Sequence, residues 1–218
     1  MRVTVLRRLL CLTLVCALPG VALGVGQTPR AEDLIDSVLA VVEGQIIMRS
    51  DVRAFLDLRL IAAPDTADPT AAVLDALIER QLVLEEVARY LIEEPTAAEV
   101  DARLAAVVTA LGGPQAFQGV LPTVGYTVDD LEQVVRDELR IERYLARRFL
   151  SARQPTEAEV AAYFREHATE FQIDGVTPPF DQARGEATRR LSEVLRRELI
   201  DGWVASLSTR ADVFRVPR

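Results

Sequence analysis

Apolar residues recur along this chain mainly at intervals of three and four, the spacing that places them on one face of an α-helix. The clearest stripe runs from about residue 70 to residue 91. Its apolar members are Leu74, Leu77, Ile78, Leu82, Val87 and Leu91. Comparable patterns predict further helices over about residues 50–63, 97–111, 128–150, 157–171 and 180–207. The sequence is therefore predicted to be mainly α.

Segments near the two ends of the chain have the composition of β-strands. Residues 37–42 and 45–48 are short apolar runs separated by Glu43-Gly44, which predicts a β-hairpin. Residues 212–216 predict a third strand. Because an isolated hairpin is only marginally stable, we expect the C-terminal strand to pair with it. The fold class predicted is a single helical module with a small sheet made by the N-terminal hairpin and the C-terminal strand.

Hydroxyl residues mark the starts of several predicted helices. Thr96 and Thr156 each precede a glutamate by three residues, which is the capping-box pattern. Thr127 precedes two aspartates, and Ser50 is the predicted cap of the first helix. These side chains predict where four of the helices begin.

The first 24 residues have the pattern of a secretory signal peptide. Arg2, Arg7 and Arg8 form a basic region, residues 9–18 are apolar, and small residues precede a predicted cleavage after Gly24. The prediction is export to the periplasm by the general route. The alternative is an uncleaved segment that anchors the protein, so membrane contact is expected only through export or through this segment.

Composition narrows the functional classes further. The 218 residues carry a net charge of −8, and removal of the signal peptide, with three arginines and no acid, makes it −11. Cys11 and Cys16 would leave with that segment, so the mature chain would contain no thiol nucleophile or thiolate metal ligand. Such acidity argues against nucleic acid as a partner, because phosphate backbones bind to basic surfaces.

Residues suited to catalysis are sparse. His167 is the only histidine, and with Glu170 it supplies too few ligands for a catalytic metal, so we interpret it as a surface histidine. No phosphate loop, dinucleotide fingerprint or nucleophile elbow occurs in the sequence. We therefore predict no catalytic, cofactor-binding or metal-binding residue, no cofactor, no nucleotide partner and no enzyme activity.

Two arginine pairs on the last predicted helix have two interpretations. Arg189-Arg190 and Arg196-Arg197 could form a basic ridge for lipid headgroups or for an acidic client. The alternative is a solvent-exposed face on which each pair is neutralised by Glu186 or Glu193 four residues earlier. The second interpretation is favoured.

A set of large apolar and aromatic residues in the middle of the chain could line a client-binding groove. Its members are Phe117, Leu121, Tyr126, Tyr163 and Phe164. Core packing is the other interpretation, because aromatic residues spaced in this way usually lie inside a fold.

Several segments resemble SurA-type periplasmic chaperones. Residues 36–47, DSVLAVVEGQII, followed by Ser50-Asp51, resemble the opening strands of that family, and residues 74–83 resemble its next helix. Gly125-Tyr126-Thr127 with Leu131 is similar to the start of its long helix. Residues 155–164 resemble the segment that precedes its parvulin prolyl-isomerase domain, and residues 179–216 resemble the helix and strand that complete the module.

The resemblance implies a domain organisation. The signal peptide is residues 1–24, the helical chaperone region is residues 25–171, and residues 180–218 complete the same domain. Residues 172–179 form a short connector where the family usually carries one or two isomerase domains. Isomerase activity is therefore not expected to carry over.

The function implied by the resemblance is ATP-independent holding of unfolded outer-membrane proteins in transit through the periplasm. Unfolded β-barrel strands expose apolar side chains and unpaired backbone groups, which an apolar groove can shield reversibly. Two alternatives stay open: a dedicated assembly or structural partner in the periplasm, and a residual peptidyl-prolyl isomerase.

Overall fold

The computed structural model describes residues 36–61, 66–150 and 153–217, which form seven α-helices, a 3-10 helix and a small three-stranded sheet. In chain order the elements are β1 (Val38–Val42), β2 (Gln45–Met48), α1 (Arg49–Asp57), α2 (Pro69–Val87), α3 (Ala97–Ala110), α4 (Pro114–Val124), α5 (Val128–Arg148), α6 (Glu157–Glu166), a 3-10 helix (Ala168–Phe171), α7 (Phe180–Ser208) and β3 (Val213–Arg215). The predicted mainly α class is confirmed. The predicted signal peptide, with its cleavage after Gly24, lies outside the described residues.

The sheet joins the two ends of the described chain. The predicted hairpin and its pairing with the C-terminal strand are confirmed; the strand order is β2-β1-β3, and both pairings are antiparallel. Glu43 and Gly44 make the hairpin turn with φ of 49° and 85°, the left-handed conformation that two-residue hairpin turns require. The Glu43 amide donates to the Asp212 carbonyl at 3.0 Å, and the Asp212 amide donates to the Glu43 carboxylate at 2.9 Å. These bonds fix the C-terminal strand beside the hairpin.

The two faces of the sheet differ in environment. Ala40, Val42 and Ile47 point inward and are buried in one cluster with α1 and α2. Ile46 and Phe214 are both register partners of Val41 and therefore share the opposite face. Both are more than half exposed. The alternation along the strands thus leaves an apolar row on the outside of the sheet.

The start of α1 differs from the prediction that Ser50 caps it. Met48 is the N-cap residue, and its amide donates to the Asp51 carboxylate at 2.8 Å. The Ser50 hydroxyl instead donates to the Asp36 carboxylate, which also accepts from the Ser50 amide. Asp51 therefore does the capping that the sequence pattern assigned to Ser50.

The end of α1 also differs, since the helix stops at Asp57 and not near residue 63. Arg59 has a φ of 54°, so the chain leaves the helix in a left-handed conformation. The Leu60 amide donates to the Phe55 carbonyl at 3.0 Å and the Arg59 amide to the Leu56 carbonyl at 3.1 Å. This is a Schellman motif with arginine at the position where glycine is usual. Because the glycine signal is absent, the sequence did not predict the end of the helix here.

The three predicted threonine caps are confirmed. In each case the hydroxyl accepts from the backbone amide three residues later, and the carboxylate at that position accepts from the threonine amide. The pairs are Thr96 with Glu99, Thr127 with Asp130, and Thr156 with Glu159.

Two helices end earlier than their apolar patterns predict. Helix α2 ends at Val87, and Leu91, the last member of the predicted stripe, is 97% exposed. Helix α6 ends at Glu166, where His167 adopts φ −110° and ψ 25°, and the chain continues as the 3-10 helix. In both cases the backbone leaves the α-helical conformation although the apolar spacing continues in the sequence.

The long helix α7 connects two parts of the core. Near its start, Ala183 and Ala187 pack with α6 and the 3-10 helix; near its end, Trp203 and Leu207 pack with α2 and α5. Its 29 residues correspond to a length of about 43 Å. None of the described helices is by itself long and apolar enough to cross a membrane. Helices α3 and α4, which meet at a bend of 94°, reach the length and apolar composition of a membrane span only when the two are counted together.

The connector before α7 is a tight turn. Ile173 and Val176 exchange two backbone hydrogen bonds of 3.0 Å. Asp174 and Gly175 between them have φ of 52° and 79°. The chain therefore reverses within two residues at the place where the resemblance implies that relatives carry an isomerase domain.

Candidate functional site

The residues predicted to line a groove lie in two different clusters. Phe117, Leu121 and Tyr126 pack together with α1 and α5, with Leu121 buried and the other two half-buried. Tyr163 and Phe164 pack separately, with the 3-10 helix and the start of α7. The structure thus brings three of the five together and keeps two apart, and all five contribute to core packing. A role in client binding stays a prediction for them.

Tyr126 and His167 have internal partners. The Tyr126 hydroxyl donates to the Asp51 carboxylate at 3.1 Å, and burial, followed by the nearby Asp51 charge, raises the pKa of Tyr126. His167 stacks on Tyr163 at 4.2 Å between ring centres, with its Nδ1 3.0 Å from the Tyr163 carbonyl oxygen. Within the described residues no group of three metal-ligating side chains occurs.

The most distinctive side-chain arrangement lies where the end of α5 meets the end of α7. Arg148 places its guanidinium 4.8 Å from the ring centre of Trp203, and it also lies 5.8 Å from Phe149 and 5.9 Å from Tyr144. It donates to the Tyr144 hydroxyl at 3.0 Å. The guanidinium is therefore held by aromatic faces, a favourable cation–π arrangement.

The aromatic rings around Arg148 also contact one another. Tyr144 lies 5.3 Å from Tyr90 and 5.8 Å from Trp203, and Phe149 lies 5.8 Å from Trp203. Tyr144 is buried among α2, α5 and α7, and burial raises the pKa of its hydroxyl, which is therefore neutral at physiological pH. The rings fix the positions of the arginine and of each other.

A cavity of about 590 Å³ opens beside this cluster. Residues of the loop after α2 form one wall, and the end of α5 forms the other. The lining residues are Arg89, Tyr90, Leu91, Ile92, Tyr144, Arg147 and Arg148. Leu91 lies at the rim of this cavity and is 97% exposed to solvent. A ligand in the cavity would bury this apolar side chain.

A second cavity of about 350 Å³ lies on the other side of the α5 terminus, against α7. Its lining includes Phe149, Leu150 and Arg196, and Leu150 is 81% exposed. Leu199 follows Arg196 by three residues on α7 and is 47% exposed. We call the residues of both cavities, together with Trp203 and Leu199, the arginine–aromatic surface.

The two arginine pairs of α7 differ in whether they have carboxylate partners. Arg189 and Arg190 both bind Glu186, and Arg189 also binds Glu193 at 3.0 Å, so the predicted neutralised face is confirmed for this pair. Glu193 is thereby directed away from Arg197. In the described part of the chain, neither Arg196 nor Arg197 has a carboxylate partner, so neutralisation of the second pair is not observed.

A third cavity, of about 250 Å³, is a groove between α1, α3 and α5 with Phe55, Leu60 and Val107 in its walls. The charged residues at its rim have partners inside the protein. Arg103 binds Glu142 through two hydrogen bonds of 2.8 and 2.9 Å, and Arg59 donates to the Ala110 carbonyl. This groove is apolar, and its lining includes the carboxylate of Glu138 as well as Arg59 and Arg103.

The arginine–aromatic surface was not predicted from the sequence as a whole, although Arg196 belonged to the predicted basic-ridge alternative. Its residues come from three segments, 89–92, 144–154 and 189–203, which are separated by 35 or more positions, so no local spacing reveals them. Two signals are visible in retrospect. Apolar residues continue past the last turn of α2 and past the last turn of α5, at Leu91 and Leu150, where a helix end exposes them.

A solved structure of another protein has a similar fold. The chain is similar to a solved chain from the structural description of PEB4, a virulence factor, and Cj1289, a periplasmic protein, two structurally related SurA-like chaperones of the human pathogen Campylobacter jejuni. The TM-score is 0.51 at 11% sequence identity, over 83% of this chain and 100% of the other. The fold is SurA-like. No family model and no curated protein matches the sequence.

Proposed function

We propose that the protein is an ATP-independent periplasmic chaperone that holds unfolded outer-membrane proteins in transit. The observation that carries the proposal is the SurA-like fold combined with exposed apolar side chains around the largest cavity described. Such a surface suits weak, reversible binding to extended chains, because it offers apolar area without enclosing a ligand. Binding of this kind requires no nucleotide.

The test is suppression of aggregation. A urea-denatured outer-membrane β-barrel protein is diluted into buffer with the exported protein, and light scattering follows aggregation in the absence of nucleotide. We expect suppression near stoichiometric ratios, and an equally acidic inert protein should give none. If the wild-type protein does not suppress scattering, the proposal is wrong, and a single dedicated partner from periplasmic extract becomes the alternative to pursue.

The site is tested with two matched double variants. Leu91→Gln with Leu150→Gln removes exposed apolar side chains from the arginine–aromatic surface, whereas Ile173→Gln with Val176→Gln removes two from the connector, each 68% exposed. Burial of a leucine contributes about 1.5–3 kcal/mol, so the first variant should need at least about tenfold more protein for half-suppression. The second should resemble the wild type. Equal losses in both would place client binding outside this surface.

Absence of isomerase activity is part of the proposal. The connector reverses direction within Asp174 and Gly175, which leaves no inserted domain at this position. We expect no acceleration of cis–trans exchange in an X-Pro peptide, measured by magnetisation-transfer NMR. Acceleration that scales with the concentration of the protein would contradict this.

Export is tested on the whole chain expressed in a Gram-negative host. We expect the protein in the periplasmic fraction with Val25 at its amino terminus, which mass spectrometry would establish. Protein that still begins at residue 1 and is found in the membrane fraction would favour the anchored alternative.

A further inference from the structure

We infer that the arginine–aromatic surface selects segments of unfolded polypeptide in which apolar residues alternate with acidic ones. This rests on the proposed function and adds the chemical class of the client segment. Three observations support it. Three arginines at this surface, Arg147, Arg148 and Arg196, have no carboxylate partner among the described residues. The apolar side chains Leu91 and Leu150 beside them are exposed, and the chain as a whole is acidic.

Most arginines in residues 36–61, 66–150 and 153–217 bind a carboxylate of the protein. Even at this surface Arg89 binds Glu86 at 3.1 Å, and Arg153 binds Glu159 at 2.8 Å. Arg147, Arg148 and Arg196 are different, because no described carboxylate lies within ion-pair distance of them. Arg148 is positioned by Trp203 and by the Tyr144 hydroxyl. Their charges are therefore available to a ligand.

Apolar and cationic side chains line the same two cavities. Leu91 lies in the lining of the same cavity as Arg147, and Leu150 lies in that of the same cavity as Arg196. A bound segment with an apolar residue next to a carboxylate would bury the first against a leucine and bring the second to a guanidinium. Arginine binds carboxylates with paired, charge-assisted hydrogen bonds, which favours this pairing geometrically.

Charge complementarity favours an acidic segment over other occupants. The chain has a net charge of −8, so it repels acidic segments over most of its surface and attracts them only where positive charge is uncompensated. The groove between α1, α3 and α5 differs, since Arg103 at its rim binds Glu142 and the carboxylate of Glu138 lies in the same lining as Arg59. The two cavities are concave, which suits individual side chains better than the flat surface of an anionic bilayer.

Trp203 provides a direct readout, because it is the only tryptophan in the chain and lies beneath Arg148. The probes are three short tryptophan-free peptides with leucine at alternate positions and Glu, Gln or Arg between them. Each is titrated into the exported protein at low ionic strength while the Trp203 emission is recorded. We expect the Glu peptide to bind about five- to tenfold more tightly than the Gln peptide, and the Arg peptide to bind most weakly.

Two double variants remove the same total charge at different places. Arg147→Gln with Arg196→Gln removes it from the arginine–aromatic surface, and Arg165→Gln with Arg210→Gln removes it elsewhere, from residues without a carboxylate partner in the described part of the chain. The first should abolish the advantage of the Glu peptide and leave the affinity for the Gln peptide unchanged. The second should keep at least half of that advantage. Salt at about 0.5 M, where the Debye length is about 4 Å, should also remove it.

The outcomes separate this inference from the function on which it rests. Equal binding of the Glu and Gln peptides, or an equal effect of the two double variants, overturns the charge selection while the holdase function stands. If none of the three peptides changes the Trp203 emission, the inference is wrong, and the suppression assay alone decides the holdase function. A change in Trp203 emission with anionic phosphatidylglycerol vesicles but not with the Glu peptide overturns the inference in favour of a lipid surface.

Discussion

Ile46 and Ile47 offer a sharp test of the sheet register on which the closure of the domain depends. They are adjacent in β2, but Ile47 is 7% exposed within the core cluster formed with α1 and α2, whereas Ile46 is 57% exposed on the outer face. A shift of one residue in the pairing would exchange these environments. Replacing each by alanine deletes the same atoms and changes strand propensity equally, so the difference between the variants measures burial.

The expected magnitudes follow from these exposures. Ile→Ala removes three methyl or methylene groups, worth about 2.4 kcal/mol when fully buried at about 0.8 kcal/mol each. For Ile47 the cavity left among packed side chains adds to this, so we expect a loss of about 3–4 kcal/mol. For Ile46 less than half of the side chain is buried and no cavity forms, so we expect about 1 kcal/mol.

The assay is urea unfolding followed by far-UV circular dichroism and by the emission of Trp203. Because Trp203 packs with α2 and α5 away from the sheet, agreement of the two signals tests whether unfolding is cooperative. In a thermal scan the midpoint of Ile47→Ala should fall by about 6–16 °C and that of Ile46→Ala by about 2–4 °C. Equal losses, or a larger loss for Ile46→Ala, would refute the register and the inward face assigned to β2.

Three further predictions concern the helix caps and the C-terminal strand. Thr96→Ala should lower the free energy of unfolding by about 1 kcal/mol, more than Thr109→Ala, whose hydroxyl bonds only within its own helix, and urea unfolding would measure both. Hydrogen bonds from Thr96 lower the pKa of Glu99 from 4.5 to about 2, so its contribution should be complete above about pH 4.5 and be lost as the pH falls towards 2. Glu99→Gln should therefore destabilise less at pH 3 than at pH 7; a loss independent of pH would contradict the capping role. Deleting residues 211–218 removes the Asp212 bonds to Glu43 and should lower the thermal midpoint in one cooperative transition, whereas an unchanged midpoint would contradict closure by β3.

The elements that the sequence predicted well are those specified by nearby residues. The hairpin needs only Glu43 and Gly44 between two apolar runs, and each threonine cap needs a carboxylate three positions later. The end of α1 was missed because arginine, at Arg59, occupies a left-handed position where glycine is the usual signal. The end of α2 was missed because the apolar period continues to Leu91 although the helix stops at Val87.

The candidate site could not be predicted in the same way, because its contacts join residues distant in sequence. Tyr90, Arg148 and Trp203 each have an ordinary local context, and only the packing of α2, α5 and α7 brings them together. The residues that sequence reasoning selected for a groove, such as Leu121 and Phe164, are buried because large apolar residues at helical spacing fill a core. A ligand needs exposed side chains, and Leu91 and Leu150 are exposed because α2 and α5 end before the apolar pattern in the sequence does.

The placement of the arginines explains how their charges remain available without destabilising the fold. The loop after α2 meets the end of α5, where Tyr90 contacts Tyr144. Each helix C-terminus carries a partial negative charge of about half a unit, and this favours arginine in the last turn without any carboxylate side chain. Arg147 and Arg148 occupy that turn of α5. The helix dipole favours both arginines, and the aromatic rings hold Arg148, so neither needs a carboxylate partner among the described residues. Both line the cavity of about 590 Å³, where a client carboxylate would reach them.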